Sequence, residues 1–290
     1  MKINNKSIDI KNTDKVFFQD SGITKGDLIK YYKKIYKYIY VHIKNRPITM
    51  HRFPNGIDSI NFYEKEIPDH FPNWFDKIEI KNKDNSTTNY PLCNNKESLI
   101  YMVNQGCISP HIWLSKTNKL EYPDKIIFDL DPPENADFSL VIEAAKNIKN
   151  ILDIRELNCY VMTTGSSGLH IIVPIKQELK FDEVRTKAKE IAKNVVENDS
   201  DKFTIEQRKS KRKGRVFIDY LRNTYGQTSI TPYAIRAKKN APIATPIEWK
   251  ELNSDITPTK YTIKNIFRRL GQKSDPWKNI YNNRNSIKQK

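Results

Sequence analysis

Between Lys125 and Tyr220 the hydrophobic pattern switches repeatedly between a strand period and a helix period. That alternation limits the possible folds more than any other feature of the chain. KIIFDL, Lys125 to Leu130, is an apolar run of strand length, and a helical pattern follows over roughly 138–152. CYVMTT and LHIIVPI read as two more strands joined by GSSG, a second helical pattern covers about 181–197, and RVFIDY closes the series. The first and last strands both end in acid, at Asp129 and Asp131 and at Asp219. Side chains alternate along a strand, so Asp129 and Asp131 share a face at about 7 Å. Like charges that close raise each other's pKa unless a cation holds them.

The order β-α-β-β-α-β is that of a ferredoxin-like or RRM-like sheet, in which the first and last strands can lie side by side. Asp129, Asp131 and Asp219 would then converge. Mg²⁺ and Mn²⁺ favour such oxygen ligands, and two ions about 4 Å apart can stabilise both oxygens of a phosphoryl displacement. An isolated DxD is as readily a loop or capping pair. The third strand-end carboxylate and the charge of the chain favour metal. Fifty Lys and Arg against 34 Asp and Glu give +16 over 290 residues, which suits a polyanion, either nucleic acid or a membrane surface. A solvated lysine-rich surface would look the same in composition alone. No stretch approaches the ~20 apolar residues of a membrane span, and MKINNKSIDIKN lacks the apolar core of a signal peptide. Cys93, Cys107 and Cys159 form no CxxC pair. That argues against a zinc site or a disulfide framework and for a reducing, intracellular compartment.

In the first half, SGITKGDLIKYYKKIYKYIYVHI is an amphipathic helix with Leu28, Ile29, Tyr32, Ile35, Tyr36 and Ile39 at helical spacing. Thr24 can cap it, with Asp27 completing a capping box. RPITMHRFPNGIDSINFYEKEIP predicts strand, turn, strand, and Lys96–Asn104 a short helix stopped near Gly106. ENDSDKFTIEQRKSKRKGR reads as an exposed loop and the last ~14 residues as a polar tail. In TTGSSGLHIIVP, Gly165 and Gly168 permit tight turning, Ser166 and Ser167 offer hydroxyls, and His170 can donate to a phosphate oxygen. A polar hairpin with an inward histidine is the plainer reading of that stretch taken alone.

FDLDP, TTGSSGLH and RVFIDY together resemble the three motifs of the archaeo-eukaryotic primase superfamily. The closer resemblance is to the polymerase domain of bacterial and archaeal DNA ligase D, which acts in non-homologous end joining. TDKVFFQDSGITKGDLIKYY, RPITMHRFPNGID, NQGCISPHIWLS, YAIRAKKNAPIATPIEW and DPWKNI extend it over nearly the whole chain. The resemblance implies an α+β, archaeo-eukaryotic primase-like fold. It implies one polymerase domain over 1–290, with an N-terminal α/β part (1–118) carrying a DNA 5′-phosphate site, an RRM-like catalytic core (119–255) and a C-terminal helix and polar tail (256–290). It further implies a template-dependent nucleotidyltransferase that acts on gaps or broken DNA ends and prefers ribonucleotides.

Residue by residue, the resemblance implies that Asp129, Asp131 and Asp219 are catalytic and bind two Mn²⁺ or Mg²⁺ ions. It places Arg52, His111, Thr164, Ser166, Ser167, His170, Arg222 and Arg236 at the nucleotide, NTP or dNTP. Lys15 and Lys25 fall at a downstream 5′-phosphate, Phe62 and Tyr63 at template bases, with at least one expected in the core, and Arg212 in a mobile loop that couples DNA synapsis to the site. Three positions depart from the family pattern: His51 where lysine is common, Ser167 where lysine or arginine is common, and Arg222 where glutamine is common. Arg222 could supply the charge that Ser167 lacks. The expected partners are gapped or broken DNA with a 5′-phosphate, and separate DNA ligase, phosphoesterase and Ku proteins, since the sequence stops after the polymerase region. No membrane partner is expected. The expected state is a cytoplasmic, nucleoid-associated prokaryotic monomer, with a DNA-bridged dimer on break ends.

Three other readings compete. A replicative-type primase shares the chemistry but commonly carries a zinc site that these cysteines cannot build. A DxD glycosyltransferase leaves Asp219 and the basic charge unexplained. A non-catalytic RRM-like binding module has no use for three clustered acids.

Overall fold

Thr24 opens the first helix as its spacing predicts. In the structure, a computed structural model describing residues 2–3, 6–82, 84–134 and 136–288, the helix runs Lys25–Ile43. The Thr24 hydroxyl accepts from the Asp27 N–H, and the Asp27 carboxylate accepts from the Thr24 N–H. This reciprocal pair satisfies two amide donors that a helix start leaves unpaired. Leu28, Ile29, Tyr32, Ile35 and Ile39 are buried as expected, whereas Tyr36 is half-buried. The second helix spans Lys96–Asn104, capped by Asn95, and Gly106 takes a left-handed φ of 84° just beyond it, as helix stops often require.

The chain divides into two compact units. The first comprises 1–113, 228–244 and 262–269. Both helices above belong to it, with an antiparallel sheet in the order Thr228–Ile230, Cys107–Trp113, Ile48–Arg52, Phe62–Glu64. Tyr32 ties this unit together: its hydroxyl donates to the Ile108 carbonyl and accepts from the Ile235 N–H. The second unit comprises 114–227, 245–261 and 270–290. Residues 228–244 and 262–269, expected in the catalytic core and in the C-terminal part, therefore cluster with the N-terminal unit. Strand Thr228–Ile230, only three residues long, pairs with Cys107–Trp113 and carries that segment with it.

In the second unit the predicted elements form, with bounds Lys125–Asp131, Ser139–Ile154, Tyr160–Thr163, Leu169–Pro174, Phe181–Asn198 and Val216–Asp219. Lys125–Asp131 is a central strand, antiparallel to Leu169–Pro174 on one side and to Val216–Asp219 on the other. Tyr160–Thr163 lies outside Leu169–Pro174, and the short strands Phe203–Thr204 and Thr245–Ile247 complete six. Ile126, Phe128 and Leu130 join the core built with the helices Ser139–Ile154 and Phe181–Asn198. Alternation turns Asp129 and Asp131 to the opposite face.

Two expectations about exposure change. Inside the predicted exposed loop, Phe203 is fully buried and Phe203–Thr204 pairs in parallel with Val216–Phe217. The predicted polar tail is packed: Trp277, Ile280 and Ile287 are buried. The Asn285 amide donates to the carbonyls of Asn158 and Pro174, and its oxygen accepts from the Asn158 N–H. The Asn285 main chain also forms a parallel bridge with Ile175, donating to the Pro174 carbonyl and accepting from the Lys176 N–H, so side chain and backbone together make a polar segment structural. Among the described residues no helix is long and apolar enough to cross a membrane.

Candidate active site

Antiparallel pairing sets Asp129 directly opposite Asp219, with Leu130 opposite Ile218 and Asp131 opposite Phe217. On its other side Asp129 faces His170, whose Nε2 lies 3.2 Å from Asp129 Oδ1. The strands thus bring the predicted carboxylates together, and His170 meets one of them rather than open space. Arg222 Nε stands 3.4 Å from Oδ2 of both Asp129 and Asp219.

Arg222 rides on the short turn Leu221–Asn223. The Leu221 N–H donates to Asp219 Oδ1 at 2.7 Å. Asn223, fully buried, accepts from the Ile127 N–H at 2.9 Å and donates to the Ile127 and Tyr220 carbonyls, each at 2.8 Å. Its side-chain amide continues the ladder where the strand Val216–Asp219 has ended. Sequence reasoning missed Asn223. The signal was an asparagine four residues past a strand-end acid, in DYLRN.

Electrostatics match this crowding. The Asp131 carboxyl is pushed up to about 6, chiefly by burial and next by Asp129, while Arg212 and Arg222 pull the other way and Asp219 adds to the rise. Burial also raises Asp219, against the pull of Arg222 and of the Leu221 N–H. A folded form that keeps a proton on Asp131 to about 6, where the ordinary value is 3.8, binds more protons than the unfolded chain between those values. Metal-free stability therefore falls as pH rises through that window, and the deficit persists above it. Asp131→Asn should melt higher than the parent at pH 7.5 in chelator, and the gain should shrink away by about pH 4, near the unfolded carboxylate value. Equal melting shifts at both pH values would show that the Asp131 charge is not the cause.

The donor set suits a hard divalent cation: all-oxygen carboxylates on adjoining strands, crowded enough to retain a proton. Among the described residues, however, no group of three or more His, Cys, Asp or Glu side chains forms a ready metal cage. Asp129 and Asp219 instead turn oxygens toward Arg222.

The loop between Tyr160–Thr163 and Leu169–Pro174 is more closed than expected. Thr164 Oγ1 accepts from the N–H groups of Ser166 and Gly168 and lies 3.1 Å from the Gly168 carbonyl. The Thr164 hydroxyl is thus engaged in holding the turn. Ser167 is exposed and Ser166 half-buried. Arg212 donates to the carbonyls of Glu206 and Gln207 and lies 3.8 Å from the centre of the Phe217 ring, so its loop is tied to the strand bearing Asp219.

The remaining predicted residues lie in the first unit. His51 stacks on Tyr63 at 4.0 Å between centroids, and Tyr63 meets His111 edge-on at 5.5 Å. The His51 imidazole is held below its ordinary range, first by burial and, against the hydrogen bond its Nε2 makes to the Asn61 side-chain oxygen, also by Arg236 nearby. Arg52 donates to Glu64 at 2.7 Å and to the Gln105 carbonyl, and lies over Phe62 at 5.5 Å. Glu64 and Gln105 are partners the sequence did not reveal. Neither aromatic is core: Phe62 is 39% and Tyr63 57% exposed, on the edge strand Phe62–Glu64. Lys15 Nζ donates to the Pro54 carbonyl and to Asn55, and Lys25 Nζ to the Lys11 carbonyl. The Lys25 N–H bonds the Lys15 carbonyl. Burial and then the Lys15 charge hold the Lys25 ammonium below its ordinary range. Two cations held this close at a helix N-terminus favour an anion.

A split β-α-β sheet with acids on its first and last strands, in a chain rich in cations, is the arrangement that the primase-polymerase resemblance implies. Comparison with known proteins agrees. Residues 24–277 match the family model for the LigD primase-polymerase domain, and the chain belongs to that family. It is 31% identical over 245 residues to the multifunctional non-homologous end joining protein LigD of Mycolicibacterium smegmatis, covering 84% of this chain and 32% of that protein. It is 29% identical over 271 residues to the bifunctional non-homologous end joining protein LigD of Bacillus subtilis, covering 93% and 43%. The chain thus spans less than half of either relative. The solved polymerase domain of Mycobacterium tuberculosis ligase D in complex with DNA superposes with a TM-score of 0.89 at 25% identity, over 96% of this chain and 99% of that one.

Proposed function

We propose that this chain is a template-dependent repair polymerase that extends a 3′ end across gaps or broken DNA ends in non-homologous end joining. The observation that carries the reading is the direct opposition of Asp129 and Asp219, with Asp131 beside them. Asp129, Asp131 and Asp219 would hold two divalent ions, Mn²⁺ or Mg²⁺, which in such sites activate the attacking hydroxyl and neutralise charge on the triphosphate. His170 orients the Asp129 carboxylate from 3.2 Å away. Arg52, His111 and Arg236 bind the incoming nucleotide, Phe62 and Tyr63 stack on template bases, and Arg212 carries the state of its loop to the strand bearing Asp219. Exposed aromatics suit template contact because stacking tolerates any base.

Lys15 and Lys25 recognise a 5′-phosphate across the gap. DNA ligase, phosphoesterase and Ku functions come from partner modules or proteins, and two copies can meet across a break through DNA. Ribonucleotides are favoured over deoxyribonucleotides, since residues 164–168 carry no bulky group to exclude a 2′-OH. Because the Thr164 hydroxyl is committed to its own turn, Ser166 is the better candidate for sensing that group.

Single-nucleotide gap filling tests the whole reading, with NTPs against dNTPs and with or without the downstream 5′-phosphate. The wild type should prefer NTPs and the phosphorylated gap. Lys15→Ala with Lys25→Ala should remove the phosphate preference, and the salt slope should become shallower by roughly 0.9 for each phosphate left unneutralised. Equal weakening on phosphorylated and hydroxyl-ended gaps would reduce these lysines to general basic charge.

A further inference from the structure

Arg222 is placed by more than its own ion pairs. The turn that carries it is anchored on both sides, by the Leu221 N–H on Asp219 and by the buried Asn223 amide on the Ile127 main chain. From that anchor the guanidinium reaches back to Asp219 and across to Asp129, its Nε 3.4 Å from an Oδ2 of each. The Arg222 side chain is 41% exposed while the two carboxylates are 12% exposed. It can therefore swing into solvent without unpacking the core, whereas the carboxylates cannot follow. A guanidinium stays protonated at any working pH, so its charge cannot be discharged in place.

We infer that Arg222 is a tethered counter-cation: it occupies the Asp129–Asp219 pair in the metal-free protein and must withdraw before a divalent ion can take the same oxygens. The inference rests on reading those carboxylates as metal ligands. Guanidinium and metal seek the same Oδ2 atoms, so the arginine raises the metal concentration at which the site fills. In the metal-free state it also relieves the repulsion between the two acids. Once displaced, it is a planar, bidentate donor suited to phosphate oxygens, so triphosphate and metal favour each other's entry.

The test is Mn²⁺ binding to nucleotide-free protein, read from the free-Mn²⁺ electron paramagnetic resonance signal. The wild type is compared with Arg222→Gln, Arg222→Lys and Asp129→Ala, each shown by circular dichroism and melting to be folded. Arg222→Gln should bind Mn²⁺ about three- to tenfold more tightly, the scale of one partly exposed charged pair, and should gain more melting temperature from added Mn²⁺. Arg222→Lys, which keeps the charge, should stay near the wild type. Asp129→Ala should lose binding. If Asp129→Ala loses Mn²⁺ but Arg222→Gln binds no more tightly than the wild type, the counter-cation is disproved and the metal site stands. Arg222→Lys binding as tightly as Arg222→Gln would also overturn it. Undiminished binding by Asp129→Ala would instead remove the metal-site reading on which the inference rests.

Discussion

Asp129→Ala and Asp219→Asn should each lower nucleotide addition by about a thousandfold or more while leaving the fold and DNA affinity intact. Divalent ions in such sites supply several kcal/mol of transition-state stabilisation, and each ~1.4 kcal/mol is tenfold in rate. The two positions are opposite each other on adjoining strands, so losing either breaks the same cluster. Asparagine is the better replacement at 219, because Asp219 Oδ1 accepts from the Leu221 N–H and an amide oxygen can keep that bond. Removing an acid does not weaken attraction to phosphate, so duplex binding measured by anisotropy should persist. Primer extension under saturating Mn²⁺ is the measurement. Near-normal extension by either variant would take that residue out of the catalytic set.

Gly168→Ala should be the most damaging single methyl in the second unit. A Cβ at Gly168 would lie 1.9 Å from the Leu130 carbonyl oxygen and 3.0 Å from its carbon. Both atoms are main chain of the central strand, which is paired on both sides and cannot give way. The loop must lift instead, which breaks the three hydrogen bonds joining Thr164 Oγ1 to Gly168 and Ser166. Overpacking ordinarily costs about 1–3 kcal/mol. With backbone on both sides the cost should exceed that range and lower the melting midpoint by about 6–12 °C, at the usual conversion for a chain of this size. Gly165 is the control. Its need is a left-handed φ of 67°, so Gly165→Ala should cost only about 1–2 kcal/mol. If both variants melt alike, close approach to Leu130 is not what Gly168 provides.

Much of this architecture could be read from period and spacing. The capping box at Thr24 was visible because a cap is a local device. The pairing of the strands bearing Asp129 and Asp219 followed from element order, because a β-α-β-β-α-β chain has few ways to lay down its strands. What escaped was long-range and polar. Trp277, Ile280 and Ile287 are scattered among polar residues and show no period, so the segment reads as a tail. Its burial depends on Asn285 meeting main chain more than a hundred residues away. Phe62 and Tyr63 alternate like a half-buried pair, and nothing local reveals an edge strand. Thr164 looked available because its partners, the amides of the next few residues, depend on the turn the loop adopts. The ion pair of Arg222 with Asp129 could not be read from the sequence, since it joins residues 93 apart in the chain through the turn Leu221–Asn223.

The amide of Asn223 has a further consequence for fidelity of assembly. Alternation protects a strand against sliding by one residue, because that would turn its apolar side chains outward. It offers no protection against sliding by two, which returns every apolar residue to the interior. Such a slip between Val216–Asp219 and the central strand would carry Asp219 about 7 Å from Asp129 and leave a well-packed but inert protein. Asn223 holds both main-chain groups of Ile127, accepting from its N–H and donating to its carbonyl, so a slide by two must break both bonds before equivalent ones can form. A residue outside the strand, with no charge and no exposure, thereby raises the barrier to leaving the alignment that sets Asp129 against Asp219.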